Sequence, residues 1–440
     1  MKETALSIVK KLEENGYSAY LVGGSVRDEL LSRAVNDFDI ATNASPQAVM
    51  QVFADERVVE TGIKHGTVTI VIDHNPYEVT TFRTEGDYKD CRHPETVSFV
   101  TSLKEDLERR DFTINALAYN PETGIIDYFG GIDDLNNKII RAVGEPQKRF
   151  QEDALRILRA VRLSAQLGFE IEKNTLSAMK LCAKNLDFVS KERIFDELTK
   201  LICAKYAADA IYVCKEIIFQ IIPELSPIDG FKQQSLSHDY DVFNHTLKAI
   251  ELAKKRTPTI MWTLLLHDIA KPLCFTVDEK GYGHTKGHPE VSSKIAAEIA
   301  DRLKFPAKLK NDVVNLVNMH DADVSKTKYQ VKRFLFEYGK EFAYNLLSVK
   351  TADMLAHSDY GIKKYKVEKV NLREYLSQIL NNNECYDFST LKISGSDLLK
   401  LGFKGKSVGE VKSILLDKVM REELKNEKQE LLIFAKSLLK

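Results

Sequence analysis

The segment Leu21-Val-Gly-Gly-Ser-Val-Arg-Asp28, followed by Asp37-Phe-Asp-Ile40, decides how the fold begins. Ser18–Val22 reads as a short strand that runs into Gly23-Gly24, with a helix starting at Ser25 and a second strand over Asp37–Thr42. A Gly-Gly turn between a strand and a helix lets backbone N–H groups approach a triphosphate, and the helix N-terminus adds positive potential. The same dipeptide also serves as a plain turn. Asp37 and Asp39 stand at strand spacing, so both carboxylates face one way while Phe38 turns into the core. Like charges on one sheet face repel each other unless a cation lies between them. The pair therefore predicts a divalent-metal site for phosphoryl or nucleotidyl transfer, against the plainer reading of a solvated strand end.

Working outward, the first 145 residues read as mixed α and β. Residues 3–15 place Leu6, Val9 and Leu12 on one helical face, and Gly16 stops that helix. Ser45-Pro46 supplies an N-cap and a first-turn proline for a helix over Gln47–Ala54. Gly66–Asp73 and Tyr77–Arg83 form a hairpin about His74-Asn75-Pro76. Ser102-Leu-Lys-Glu105 has the form of a capping box, and Asn115–Asn120, Ile125–Tyr128 and Lys138–Val143 read as further short strands. Beyond Pro146 the pattern is helical almost without a break to Lys440. The expected fold class is α+β: a small N-terminal mixed-sheet domain followed by a long all-helical body.

Among 440 residues, 63 Lys+Arg balance 64 Asp+Glu, which excludes a uniformly basic nucleic-acid coat but leaves room for one basic face. The richest apolar run, Ile260–Leu266, is too short to span a bilayer. Met1-Lys-Glu-Thr-Ala-Leu lacks the basic start and apolar stretch of a signal peptide. Six scattered cysteines without a CxxC pair suit a reducing compartment. The expectation is a cytoplasmic protein without a membrane span.

The neighbours of the Asp37–Asp39 pair strengthen its chemical reading. Glu78 can bring a third carboxylate towards it. Arg109-Arg110-Asp111-Phe-Thr-Ile-Asn115 offers guanidinium groups for phosphates and a carboxylate for ribose hydroxyls. In Glu152-Asp153-Ala-Leu-Arg156-Ile-Leu-Arg159-Ala-Val-Arg162, a continuous helix would make Asp153 and Arg156 neighbours, with Arg159 on the same ridge. Alone, that string describes an amphipathic helix with solvated salt bridges.

Together these segments resemble class II tRNA nucleotidyltransferases, the CCA-adding enzymes, and their poly(A) polymerase relatives. The match runs through GGSVRD with the Asp37–Asp39 pair, RRDFTINA, Asp127–Leu135, Glu152–Phe169 and Ser190–Leu198, with Ile393–Glu410 similar to the family's tail. The resemblance implies that Asp37 and Asp39 bind Mg²⁺ and that Gly23, Gly24 and Arg27 form the triphosphate turn. It also implies that Asp111 contacts ribose, beside Arg110 and Asn115. Asp153 and Arg156 would read the incoming base, with Glu152 bracing Arg156 and with Arg159 and Arg162 in the same nucleotide-binding motif. A carboxylate accepts from the amine that cytosine and adenine share, and a guanidinium donates to their ring acceptors. Guanine and uracil present the opposite polarity and would leave buried groups unpaired. Arg83–His93 matches a loop that helps switch from CTP to ATP. The implied substrates are tRNA, CTP and ATP.

Seven of the ten histidines lie between His238 and His357. His245, the adjacent pair His267-Asp268, His288, His320 and Asp353 resemble the HD phosphohydrolase superfamily in its fuller ligand order. A lone buried histidine is usually a packed core residue, but six such groups in order suit one or two divalent ions. The implied chemistry is metal-assisted hydrolysis of phosphate mono- or diesters. The expected organisation is thus a nucleotidyltransferase head (1–145), a helical neck with the base-reading motif (146–234), an HD domain (235–360) and a helical tRNA-binding tail (361–440). Lys363, Lys364, Lys366, Lys369 and Arg373 form a basic run that could meet phosphates or simply be solvated. Competing readings are an A-adding enzyme or poly(A) polymerase, and a metal-dependent phosphohydrolase whose N-terminal half only binds nucleotide.

Overall fold

Helix α1 (Lys2–Glu14) buries Ala5, Ile8, Val9 and Leu12 and ends at Gly16, whose φ of 85° is open to glycine at no steric cost. The computed structural model describes residues 1–35, 37–60, 62–85 and 97–439, so residues 86–93 of the expected nucleotide-switching loop lie outside the described residues. The chain divides into two compact units, Met1–Pro223 and Glu224–Lys440.

In the first unit α1 is followed by β1 (Ala19–Val22), α2 (Gly24–Leu30), β2 (Asp39–Thr42), α3 (Pro46–Val52), β3 (Arg57–Val59), β4 (Thr67–Ile72) and β5 (Asn75–Thr81). Then come β6 (Arg83–Glu85), β7 (Val97–Phe99), α4 (Leu103–Glu108), β8 (Leu117–Asn120) and β9 (Gly124–Asp127). Seven strands form one mixed sheet in the order β3-β4-β5-β2-β1-β8-β9. Only the β2–β5 pair in it is parallel, and its register sets Asp39 beside Glu78. Asp37 lies just outside β2, with Phe38 only 5% exposed beneath the turn. Ser45 caps α3 through its hydroxyl, 3.2 Å from the amide of Ala48.

Two local expectations are corrected here. The β4–β5 hairpin turns at Asp73-His74, both at positive φ, and Asn75 already pairs with Ile72, so the turn is the tight two-residue kind that matches strand twist. Ser102 is the N-cap of α4, but its side chain makes no capping bond. Instead Glu105 and Asp106 put acid in the first turn, which the helix dipole favours.

The rest of the unit comprises α5 (Gly131–Asn136), β10 (Ile139–Ile140), α6 (Pro146–Glu152), α7 (Leu155–Leu167), β11 (Glu170–Ile171), α8 (Lys173–Cys182), α9 (Lys191–Ile202), α10 (Ala207–Val213) and α11 (Lys215–Ile221). The body after Pro146 is not wholly helical: β11 pairs in parallel with β10, tying the helices back to the sheet region. A further correction concerns Asp153. It does not share a helix with Arg156, because its backbone is extended (φ -137°, ψ 104°) and separates α6 from α7. Its carboxylate accepts from the amide of Leu155 (3.1 Å), satisfying a donor that opens α7.

The second unit contains α12 (Val242–Leu252), α13 (Pro258–Leu266), a small hairpin of β12 (Thr276–Val277) and β13 (Gly283–His284), α14 (His288–Arg302) and α15 (Ala307–Met319). Its remaining helices are α16 (Lys328–Leu355), α17 (Asp359–Asn381), α18 (Gly395–Leu401), α19 (Lys406–Met420) and α20 (Lys428–Ser437). The apolar run noted above is α13, buried on every side around Trp262, as expected of a central rather than an amphipathic helix. α16 is interrupted at Gly339 (φ 78°, ψ 172°). Among the described residues no helix is long and apolar enough to cross a membrane.

Candidate active sites

The first site is a cleft of about 390 Å³ in the N-terminal unit, lined among others by Asp39, Glu78, Arg110, Asp111, Asp153, Arg156, Arg159 and Arg193. Gly23 sits at its edge with φ 75° and ψ -135°. The positive φ favours glycine, and a Cβ there would fall 2.9 Å from Arg110 Nη1, the far end of a flexible side chain that would have to shift. Arg27 is buried and donates to Asn115 Oδ1 (2.5 Å) and to Asp28 (2.9 and 3.0 Å). Asn115 in turn donates to Asp111 Oδ1 (3.0 Å), and Arg159 Nε donates to Asp111 Oδ2 (2.8 Å). Burial works against the Asp111 charge, yet Arg159 and these hydrogen bonds hold its carboxyl well below the usual carboxylate range.

The opposite holds across the cleft. Partial burial and the charge of Asp37 raise the Asp39 carboxyl, against the pull of Arg110. Glu78 is raised by burial and by Asp39 and Asp37. For these carboxylates burial and mutual repulsion outweigh the pull of Arg110, while the guanidinium groups of Arg110, Arg156, Arg159 and Arg193 line the same cleft. One side suits a divalent cation and the other suits phosphates.

At the inner end, Arg156 Nη1 donates to Glu152 (2.7 Å) and Nη2 to the carbonyl of Arg109 (2.9 Å). Arg193 on α9 holds Asp153 Oδ2 at 3.1 Å, while its buried Nη1 has no hydrogen-bond partner. Arg162 does not line the cleft; it bonds Glu197 (2.6 Å) and joins α7 to α9. Two residues that matter escaped the sequence reading. Arg193 belongs to the Ser190–Leu198 segment, forty residues from Asp153. Asp106, fully buried, binds Arg109 (2.7 Å) and Arg110 (3.2 Å) and so aims both. Its offset of three and four residues from the arginines was the available signal.

The second site lies in the C-terminal unit. His245 comes from α12, His267 and His320 cap the C-termini of α13 and α15, His288 opens α14, and Asp353 stands near the end of α16. Asp268 Oδ1 is 3.2 Å from His288 Nε2 and 3.6 Å from His320 Nε2, and Oδ2 is 3.2 Å from His267 Nε2 and 3.7 Å from His245 Nε2. Asp353 Oδ1 is 2.9 Å from His245 Nε2 and 3.7 Å from His267 Nε2. All four imidazoles turn Nδ1 to a backbone carbonyl: Ala356 (3.2 Å), Leu264 (2.7 Å), Thr285 (2.8 Å) and Val317 (2.6 Å). With Nδ1–H donating outward, each Nε2 lone pair faces the carboxylates, as metal-bound histidines are held.

The donor set fits divalent metal on two further counts. His267 Nε2 is buried without a hydrogen-bond partner. Burial disfavours a proton on His267, yet Asp268 and Asp353 push its pKa up to about 10, so the paired carboxylates demand positive charge at the centre. His357, His238 and Lys271 also border the site but were not among the expected ligands. Lys271 Nζ lies 2.7 Å from Asp268 Oδ2, and His357 donates through Nδ1 to the carbonyl of Asp353 (2.8 Å). Of the basic run, Lys363, Lys364 and Lys366 are exposed on α17, and the side chain of Lys369 lies outside the described residues.

A carboxylate-bearing mixed sheet facing a cluster of arginines defines a nucleotidyltransferase. Residues 19–141 match the Poly A polymerase head domain, residues 168–227 the "Probable RNA and SrmB-binding site of polymerase A", and residues 289–435 domain 2 of tRNA nucleotidyltransferases. The CCA-adding enzyme of Streptococcus agalactiae is 35% identical over 99% of this chain and 97% of its own. That of Pediococcus pentosaceus is 35% identical over 98% and 96%. The Bacillus stearothermophilus CCA-adding enzyme in complex with CTP is 30% identical, covers 99% of this chain and 96% of that one, and superposes with a TM-score of 0.71. The chain belongs to the CCA-adding enzyme family.

Proposed function

We propose that this protein adds CCA to the 3′ end of tRNA from CTP and ATP, without a nucleic-acid template. The observation that carries the reading is one cleft that joins the Asp39 and Glu78 carboxylates to Asp153, Arg156 and Arg193. In the reaction the tRNA 3′-hydroxyl attacks the α-phosphorus of the nucleotide and pyrophosphate leaves. Asp37 and Asp39, with Glu78 beside them, would hold Mg²⁺, which when bound supplies charge to the attacking and leaving oxygens. Arg110, aimed by Asp106 and packed on Gly23, meets the triphosphate near the turn. Asp111, already ionised and fixed by Arg159 and Asn115, accepts from ribose hydroxyls. Asp153 accepts from the exocyclic amine of cytosine or adenine, and Arg156 presents donors to their ring acceptors. Incubating tRNA that lacks its 3′ end with each nucleotide, singly and in pairs, tests this. CTP alone should add two residues and CTP with ATP three, whereas ATP incorporation alone would favour an A-adding enzyme.

The histidine cluster supports a second activity in the same chain, metal-dependent hydrolysis of a phosphate ester. His245, His267 and Asp268, with Asp353 beside them, would hold one divalent ion, and Asp268, His288 and His320 another. Such ions, when bound, lower the pKa of water. A 2′,3′-cyclic or terminal phosphate on a damaged tRNA end suits the company of the first site, because its removal restores the hydroxyl that nucleotide addition needs.

A further inference from the structure

Beside the histidine cluster lies a second cleft of about 500 Å³, much larger than the roughly 110 Å³ around the cluster itself. His238, Thr285, His288, Asp321 and Tyr365 line both, so the two spaces adjoin. The outer cleft carries three tyrosine rings: Tyr282 from the β12–β13 hairpin, and Tyr360 and Tyr365 from α17. Tyr282 and Tyr360 are 45% and 57% exposed, so their rings are accessible to a ligand in the cleft. Tyr365 stands at the junction, its ring 5.1 Å from that of His357, with Lys364 Nζ 5.0 Å from its centroid. Lys286 and Lys364 add positive charge, and Ser235, Ser237 and Gln233 add hydroxyl and amide groups.

The hairpin that presents Tyr282 is fixed in place. The amide of Gly283 donates to the carbonyl of Gln234 (3.0 Å), and a Cβ at Gly283 would fall 2.3 Å from the carbonyl of Gln233. Asp278 closes the same turn with bonds to the amides of Lys280 and Tyr282 (2.9 Å each). Tyr282 is therefore held on a pinned support rather than on a loose tip.

We infer that this outer cleft is a nucleobase subsite, in which Tyr282, Tyr360 and Tyr365 offer stacking faces to the base of a nucleotide whose phosphate enters the histidine cluster. A lipid phosphate would call for an apolar lining, and a polyphosphorylated sugar for more cations and no rings. Rings, two lysines and hydroxyls together match base, phosphate and ribose, and the volume lies within the range of roughly 300–1,000 Å³ usual for small-molecule sites. The reaction rests on the hydrolase reading given above; the binding does not. In that reaction the oxygen of water bonds to phosphorus, the bond from phosphorus to one ribose oxygen breaks, and the proton goes to that oxygen.

Two measurements on the full chain test the subsite. With Mn²⁺ or Ni²⁺ supplied, adenosine 2′,3′-cyclic phosphate is compared with glycerol 1,2-cyclic phosphate, which has the same ester and no base. Tyr282→Ala with Tyr360→Ala should raise KM for the nucleotide on the order of 10- to 100-fold, the size of base–aromatic stacking, and leave the glycerol ester unchanged. Tyr360→Phe should retain wild-type KM. Equal effects on both esters, or none on either, would overturn the subsite. If neither ester is hydrolysed, the hydrolase reading fails and binding decides alone. Quenching of 2-aminopurine riboside 2′-monophosphate that is lost in the double Ala variant supports stacking, and quenching equal in both proteins refutes it.

Discussion

Single atoms set the limits of the nucleotide cleft. Gly23→Ala would force a side chain into a backbone region that costs about 1–3 kcal/mol and would push Arg110 aside. The expected result is a folded protein with KM for CTP and ATP raised at least about tenfold, since about 1.4 kcal/mol of lost phosphate contact is enough; an unchanged KM would separate Arg110 from the triphosphate. Asp106 acts one step further back. Burial opposes its charge, but Arg109 and Arg110 lower its pKa below that of an ordinary aspartate. A carboxyl depressed in the folded chain stabilises it fully above the unfolded value of about 3.9, and that contribution is lost as pH falls through the folded value. Asp106→Asn should therefore cost about 1–3 kcal/mol at pH 7 in urea unfolding. The gap between variant and wild type should narrow below about pH 4. A gap that stays constant down to the acid limit would show that the loss is one of packing.

At the scale of elements, the boundary between α6 and α7 is the part of the cleft that sequence reasoning misplaced. Ala154–Leu167 continues the helical period without a glycine or proline, so nothing local announces the extended backbone at Asp153. The break is held by one local and one tertiary bond: one oxygen of Asp153 accepts from the amide of Leu155 at the start of α7, and Arg193 takes the other. What was legible depended on short-range rules. The alternation of β5 put Glu78 on the face of Asp39, and Ser45-Pro46 marked the start of α3. Arg193, His238 and His357 were not readable because each earns its place through contacts across the fold, although His357 follows Asp353 by one helical turn. The break also makes a prediction. Arg193→Ala should leave Asp153 free to swing and should erode selectivity for CTP and ATP over UTP and GTP by roughly tenfold, a coupling of about 1–2 kcal/mol between neighbours. Nucleotide competition assays measure this, and unaltered selectivity would mean that Asp153 is fixed by its cap on α7 alone.

Across the whole molecule, the two clefts draw on separate residues. All residues lining the nucleotide cleft belong to Met1–Pro223, and the histidine cluster belongs entirely to Glu224–Lys440. Among the described residues each lining is drawn from its own unit, so removing the charge centre of one should spare the chemistry of the other. Asp268 is the sharpest test, because four imidazoles and Lys271 all approach its two oxygens within 3.7 Å. Asp268→Asn keeps the shape and removes the charge that balances a cation. It should abolish hydrolysis of phosphate esters and lower bound divalent metal to background, while CTP and ATP addition to intact tRNA stays within about twofold of wild type, the size expected for sites that share no partner. Asp39→Asn should give the reverse, losing at least about a hundredfold in addition, as removal of a transition-state charge contact does, with hydrolysis and metal content at the histidine cluster intact. Metal content can be read by elemental analysis without any substrate. It should also fall as pH is lowered, because protons compete with the metal for the imidazoles. If Asp268→Asn lost both activities with its fold preserved, the two units would work as one device and the independence argued from their linings would be wrong.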